Sequence, residues 1–231
     1  MTTLLGLAAL LAAVPGQAAQ ARLVRLRTAD GWTLGARYQA PRAGRSAAIL
    51  VHGAAAGKSE WAPLQDALAR RGLGSLALDL RGHGDSRQGP SGEAGFEGFD
   101  ASGEWPRARR DIEAAAAFLR RQGIPARRIG CVGASIGANL ASAARPAPAW
   151  LVLLSPGADY RGVRLAPPSA GLPVLAAASP ADRTAFETAR AYAAAHPAAE
   201  FLPAAQGHGA QMLADPAFLA ALVGWVERRG P

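Results

Sequence analysis

The pentapeptide Gly133-Ala134-Ser135-Ile136-Gly137 stands between an apolar run, Arg128–Gly133, and a helix-like segment, Ile136–Ala144. Gly-x-Ser-x-Gly between a strand and a helix is the setting of a nucleophile elbow. The glycines permit a tight turn that exposes the Ser135 hydroxyl, and the N–H of Ile136, opening the helix, can point at an oxyanion. A serine hydroxyl is a weak nucleophile until a base takes its proton, and the base needs an acid to orient it. Of the four histidines, His52 and His83 precede the serine, and His196 closes a helix before Pro197. His208 alone lies in a late glycine-flanked loop, Gln206-Gly207-His208-Gly209. Two aspartates fall between nucleophile and base. Asp182 lies four residues beyond the run ending at Ala178, and Asp159 five beyond the run ending at Leu154. Asp182 is preferred for its closeness to a strand end; Asp159 would then shape the substrate pocket or anchor its loop by pairing with Arg161 or Arg164.

These residues need a scaffold that brings strand ends together. Leu23–Arg27 and Thr33–Tyr38 flank Asp30-Gly31, a hairpin signal. Short apolar runs at Ala47–Val51, Ser75–Leu78, Arg128–Gly133, Trp150–Leu154 and Val174–Ala178, with Glu200–Leu202, read as strands. Between them lie helix-like segments: Glu60–Arg71 with Ser59 as N-cap, Pro106–Gln122, Ile136–Ala144, Thr184–Ala195 and Pro216–Arg228. Strands alternating with helices imply an α/β fold: a mostly parallel sheet of about eight strands, with helices on both faces and the first two strands extending one edge. In such sheets sites form beyond the carboxyl ends of the strands, where Ser135, Asp182 and His208 all fall.

Other patterns in the chain fit their chemistry less well. Val51-His52-Gly53-Ala54-Ala55-Ala56-Gly57-Lys58-Ser59 ends like a phosphate-binding loop, yet His52 occupies the position of its first glycine. Asp79 after an apolar strand resembles a magnesium-holding carboxylate, but runs directly into Arg-Gly-His-Gly-Asp-Ser. Gly82-His83-Gly84 lacks the third glycine of a dinucleotide fingerprint, since Arg87 stands there, and His83 reads as a loop-structuring residue. No cluster suggests a metal, and no cofactor is expected. Cys131, the single cysteine, lies in an apolar stretch and reads as a buried structural thiol. The formal charge of +8 comes from dispersed arginines without a nucleic-acid-binding signature, so no nucleic-acid partner is expected. Residues 1–21 read as an export signal. Leu4–Val14 has the length of an apolar signal core and is too short to span a bilayer, and Ala19-Gln20-Ala21 fits the cleavage rule. The expected mature chain, 22–231, is one domain, periplasmic or secreted; nothing in it sets an oligomeric state.

The combination resembles the α/β-hydrolase superfamily, close to bacterial dienelactone hydrolase-like or serine aminopeptidase-like proteins. The matching pieces are Val51-His52-Gly53, Asp79-Leu80-Arg81-Gly82-His83-Gly84-Asp85-Ser86, the Ser135 elbow, Leu154-Ser155-Pro156-Gly157, Asp182 and Gly207-His208-Gly209. The resemblance implies that His52-Gly53 opens an oxyanion loop beside the substrate, with the N–H of Ala54 partnering that of Ile136. It departs from true dienelactone hydrolases, whose nucleophile is cysteine. Only 19 residues, 155–173, separate two of the strands, too few for a helical cap. The expected activity is hydrolysis of a small-molecule ester or related acyl substrate through Ser135, His208 and Asp182. Peptidase, thioesterase and lactonase activity, or a non-catalytic binding role on the same fold, are the alternatives.

Overall fold

A computed structural model describes residues 20–229; the expected export segment therefore lies almost wholly outside the described residues. The described residues open with β1 (Arg22–Arg27) and β2 (Thr33–Gln39), an antiparallel pair. The series β3 (Ala47–Val51), α1 (Ala62–Arg70) and β4 (Gly74–Leu78) follows. A long loop then holds two-residue strands β5 (Gln88–Gly89) and β6 (Gly92–Glu93) and the short helix α2 (Phe99–Ser102). Next come α3 (Arg109–Arg121), β7 (Ile129–Ala134), α4 (Ile136–Ser142) and β8 (Leu151–Leu154). A small hairpin, β9 (Asp159–Tyr160) with β10 (Val163–Arg164), precedes β11 (Val174–Ala178). The described chain ends with α5 (Arg183–Ala195), β12 (Ala199–Pro203) and α6 (Pro216–Arg229).

The main sheet runs β12-β11-β8-β7-β3-β4-β2-β5-β6, with β1 also on β2. From β12 to β4 every pairing is parallel. The β2–β4 pairing is antiparallel. All eight expected strands are present; β5 and β6 add two more to the sheet. Strand burial explains the uniformly apolar runs. In β3, Ala47, Ile49 and Val51 join the core layer of α3, α4 and α5, whereas Ala48 and Leu50 join that of α1 and α6. A strand with both faces covered needs no polar alternation.

The first helix differs from expectation. A 3₁₀ turn, Lys58–Trp61, leads into it, and Ser59 makes no capping bond. Pro63 sits in the first turn of α1, where its missing N–H costs nothing. The α3 segment likewise begins with a 3₁₀ turn, Trp105–Ala108.

Candidate active site

Ser135 links β7 to α4 with φ 55° and ψ −126°. A non-glycine residue there is strained, and surrounding structure must impose the strain. Here the flanking glycines do so by close approach. A Cβ on Gly133 would lie 2.2 Å from the Gly137 carbonyl oxygen, and one on Gly137 2.3 Å from that of Val51. The Ser135 N–H is held by the Leu154 carbonyl at 2.8 Å.

The base arrives on a loop that crosses from β12. His208 donates from Nδ1 to Asp182 Oδ2 at 2.7 Å, the side chains being 44% and 21% exposed. Asp182 stands at the N-cap of α5, four residues after β11, as expected. Gly209 has φ 57°, and a Cβ there would lie 3.2 Å from Ala134 Cβ and 3.8 Å from Ser135 N. That contact sets the His208 loop directly against the elbow. Ser155 Oγ, fully buried, accepts the Gly209 N–H at 2.9 Å and locks the crossing. Asp159 is elsewhere: Oδ1 accepts the Gly162 N–H at 2.8 Å, and Oδ2 lies 3.7 Å from Arg164 Nε. It anchors its own hairpin. Arg161 pairs instead with Asp100 and lies over the Trp105 ring.

The loop after β3 lies on the other side of Ser135; a Cβ on Gly53 would sit 3.4 Å from Ser135 Cβ. His52 does not face this space and so is not a substrate-pocket residue. It is fully buried, and its Nε2 accepts the Leu80 N–H at 2.9 Å. That bond fixes the tautomer, so Nδ1 carries the proton and donates to the Gly53 carbonyl at 2.7 Å. Burial pushes the His52 pKa down to about 4. Gly53 C=O and Ala54 N–H belong to one planar trans peptide and point opposite ways. Drawing the carbonyl toward the imidazole therefore turns the Ala54 N–H away from it. Among the described residues no backbone hydrogen bond uses the N–H of Ala54 or of Ile136.

His83 holds the next peptide of this loop. Its ring stacks on Phe96 at 4.1 Å, with Nε2 2.6 Å from the Ala54 carbonyl oxygen and Nδ1 2.9 Å from that of Arg81. Burial pushes the Glu60 carboxyl, beside the Gly53 backbone, up to about 7. Lys58 is fully engaged: Nζ donates to Asp79 Oδ2 at 2.5 Å and to Asp85 Oδ2 at 2.7 Å. Asp79 also accepts the backbone N–H groups of Lys58 and Asp85. The lysine and aspartate that imitate a nucleotide site thus neutralise each other. Among the described residues no group of His, Cys, Asp and Glu could hold a metal ion, and no helix is long and apolar enough to cross a membrane. Cys131 is wholly buried, and burial pushes its thiol far above the usual range, which suits an inert side chain.

Three residues near Ser135 were given no role from sequence. Tyr160 faces the Ser135 hydroxyl. Ser155 holds the His208 loop. Asn139, buried in α4, donates to the carbonyls of Gly157 and Val163 at 2.8 Å each. A lone amide in the apolar helix Ile136-Gly137-Ala138-Asn139-Leu140 was the available signal, since a buried amide requires partners.

No curated protein matches the sequence. Among solved structures, an esterase of Pyrococcus furiosus has a TM-score of 0.69 and 16% identity, over 90% of this chain and 91% of its own. A thermophilic esterase of Thermogutta terrifontis, solved with malate, gives 0.68 and 18%, over 90% and 99%. A dienelactone hydrolase of Anabaena variabilis gives 0.64 and 16%, over 90% and 95%. At these identities the likeness is one of fold. The sequence model of the alpha/beta hydrolase family matches residues 48–231, from β3 through the last helix, and on that match the chain belongs to the alpha/beta hydrolase family.

Proposed function

We propose that the protein is a serine hydrolase of small carboxylic esters. The observation that carries this reading is the 2.7 Å Asp182–His208 pair on a loop packed against the strained Ser135 turn. Ser135 Oγ attacks the ester carbonyl while His208 Nε2 takes its proton. The Ala54 and Ile136 N–H groups bind the oxyanion; losing one such donor typically costs about 10²–10³ in turnover. His208 returns the proton to the departing alcohol, then activates the water that releases the acid. Asp182 holds the imidazole tautomer and stabilises the imidazolium. That the named structural neighbours are esterases is consistent with this chemistry. The short hairpin between β8 and β11, in place of a cap, favours small, short-chain substrates.

The test is labelling by a fluorophosphonate, together with hydrolysis of p-nitrophenyl acetate. Wild-type protein should be labelled at Ser135 and turn over the ester, and Ser135→Ala should lose both. Unlabelled, inactive wild-type protein would favour a binding role on the same fold. Residues 1–21 are proposed as an export signal; an intact mass of exported protein starting near Arg22 would support that assignment, and a mass retaining residues 1–21 would refute it.

A further inference from the structure

Tyr160 has a placement that the Ser135–His208–Asp182 reading does not use. Its ring lies against Gly157, where a Cβ would come within 2.6 Å of Tyr160 Cζ. Its hydroxyl donates to the Ser155 carbonyl at 3.3 Å, a long bond, and interacts with the Ser135 hydroxyl. The Asp182 charge also reaches it. The hairpin carrying it is bolted to the helix that follows the nucleophile. Asn139, four residues after Ser135, donates to Gly157 and Val163 and accepts the Gly157 N–H at 3.3 Å. Ser142 Oγ accepts the Ala166 N–H at 2.9 Å. Phenol and nucleophile are therefore positioned by one rigid unit, as a reacting constellation requires.

The strand order says which part of a substrate the phenol would meet. β7 lies between β3 and β8. The Ala54 loop follows β3, so the oxyanion donors approach from that side. Tyr160 follows β8, and the His208 loop comes over β11 and β8 from β12, so phenol and imidazole share the opposite side. In a tetrahedral intermediate on Ser135, the oxygen that must receive the His208 proton is the leaving-group oxygen.

We propose that Tyr160 is a further catalytic residue, its phenol O–H donating a hydrogen bond to the leaving-group oxygen as the ester C–O bond breaks; this rests on the hydrolase reading above. The bond from Ser135 Oγ to the acyl carbon has formed. The breaking C–O bond leaves its electron pair on the alcohol oxygen. His208 supplies that oxygen with the proton taken from Ser135, and the Tyr160 proton stays on the phenol. Burial first, and the Asp182 charge second, raise the phenol above the usual tyrosine range, so it remains a donor at neutral pH.

The experiment compares wild type, Tyr160→Phe and Ser135→Ala on p-nitrophenyl, phenyl and ethyl acetate. All three esters give the same acetyl-enzyme, so kcat/KM isolates its formation. A departing p-nitrophenoxide needs little help, whereas ethoxide needs much. Tyr160→Phe should therefore lose no more than about twofold on p-nitrophenyl acetate and about tenfold on ethyl acetate, with phenyl acetate between, the scale of one hydrogen bond. Phenylalanine keeps the ring on Gly157, and an unchanged melting curve verifies the fold. A loss equal across the series, or none, with Ser135→Ala inactive, overturns the role of Tyr160 and leaves the hydrolase reading standing. A wild type inactive on every ester, or activity surviving in Ser135→Ala, overturns both.

Discussion

The two sides of Ser135 are built differently. On the β3 side the two histidines and Asp79 tie the elbow's neighbours down from behind. His52 bridges Leu80 and Gly53, His83 bridges Arg81 and Ala54, and Asp79 gathers Lys58 and Asp85. Behind them Arg81, fully buried, binds Asp111, Asp30 and Glu104. On the β8 side the His208 loop itself hangs on few bonds: the half-exposed one from His208 to Asp182, one from the His208 N–H to Gln211, and the buried one from Gly209 to Ser155. A site that stabilises charge gains most from donors that need not reorganise, whereas a proton shuttle must reach two oxygens in succession. The buried side suits the first task and the exposed side the second.

The comparison can be broken in graded ways. The largest effect belongs to the exposed side. Asp182→Asn should lower kcat by about 10⁴ at neutral pH through the wrong His208 tautomer, with a melting temperature near wild type. A large fall in melting temperature would show that this side is structural too. His52→Phe should follow. Freed of its tether, the Gly53–Ala54 peptide no longer presents a fixed donor, so kcat should fall by about 10²-fold with KM little changed. This variant also leaves the Leu80 N–H buried and unpaired, costing about 1–3 kcal/mol of stability. Activity within about threefold of wild type would mean that the rest of the loop suffices to hold that peptide.

The same substitution has a pH signature. Folded His52 titrates near 4, against 6.5 for a free imidazole. Below about 6.5 the unfolded chain takes a proton that the folded one refuses, so this group removes stability as pH falls from about 6.5 to 4. Glu60 works in the opposite sense. Its folded pKa of about 7 exceeds the ordinary 4.5, so its contribution is lost as pH rises from about 4.5 to 7. Each contribution is at most about 3 kcal/mol, and solvent screening reduces that of the partly exposed Glu60. Denaturant titrations should find the stability of His52→Phe falling relative to wild type as pH rises from about 4 to 6.5, because only wild type recovers the His52 contribution. Parallel curves for the two proteins would reject the buried neutral imidazole. The smallest effect is reserved for Asp159→Asn. Asparagine can still accept the Gly162 N–H, so kcat should stay within about threefold; a loss like that of Asp182→Asn would move the acid to Asp159.

What could be read from the sequence divides along the same line. Apolar runs bounded by turns announced β3, β4, β7, β8 and β11, because strands buried on both faces carry no polar interruption, whereas the exposed β1 and its partner β2 were announced by the Asp30-Gly31 hairpin signal. The two-residue strands β5, β6, β9 and β10 have no period to detect. Ser135, Asp182 and His208 could be nominated because each follows a strand end in a fixed order. His52 was misplaced because a histidine closing a strand looks the same whether its ring faces substrate or folds back on its own peptide; only the Leu80 N–H decides. Tyr160 escaped because its position depends on Asn139, distant in sequence, and on the Ser155 carbonyl, a backbone group that no residue type announces.

Lys58 has a consequence outside catalysis. It is the only lysine in the chain, its side chain 18% exposed and its backbone N–H given to Asp79. A lysine-specific protease therefore has one bond to cut, in the 3₁₀ turn that follows the Gly53–Ala54 loop. It can do so only when that turn leaves Asp79. Cleavage that is slow relative to reclosing reports the population of the opened state. Two fragments on a gel would then measure, in native buffer and without substrate, how often the buried side of this site comes undone.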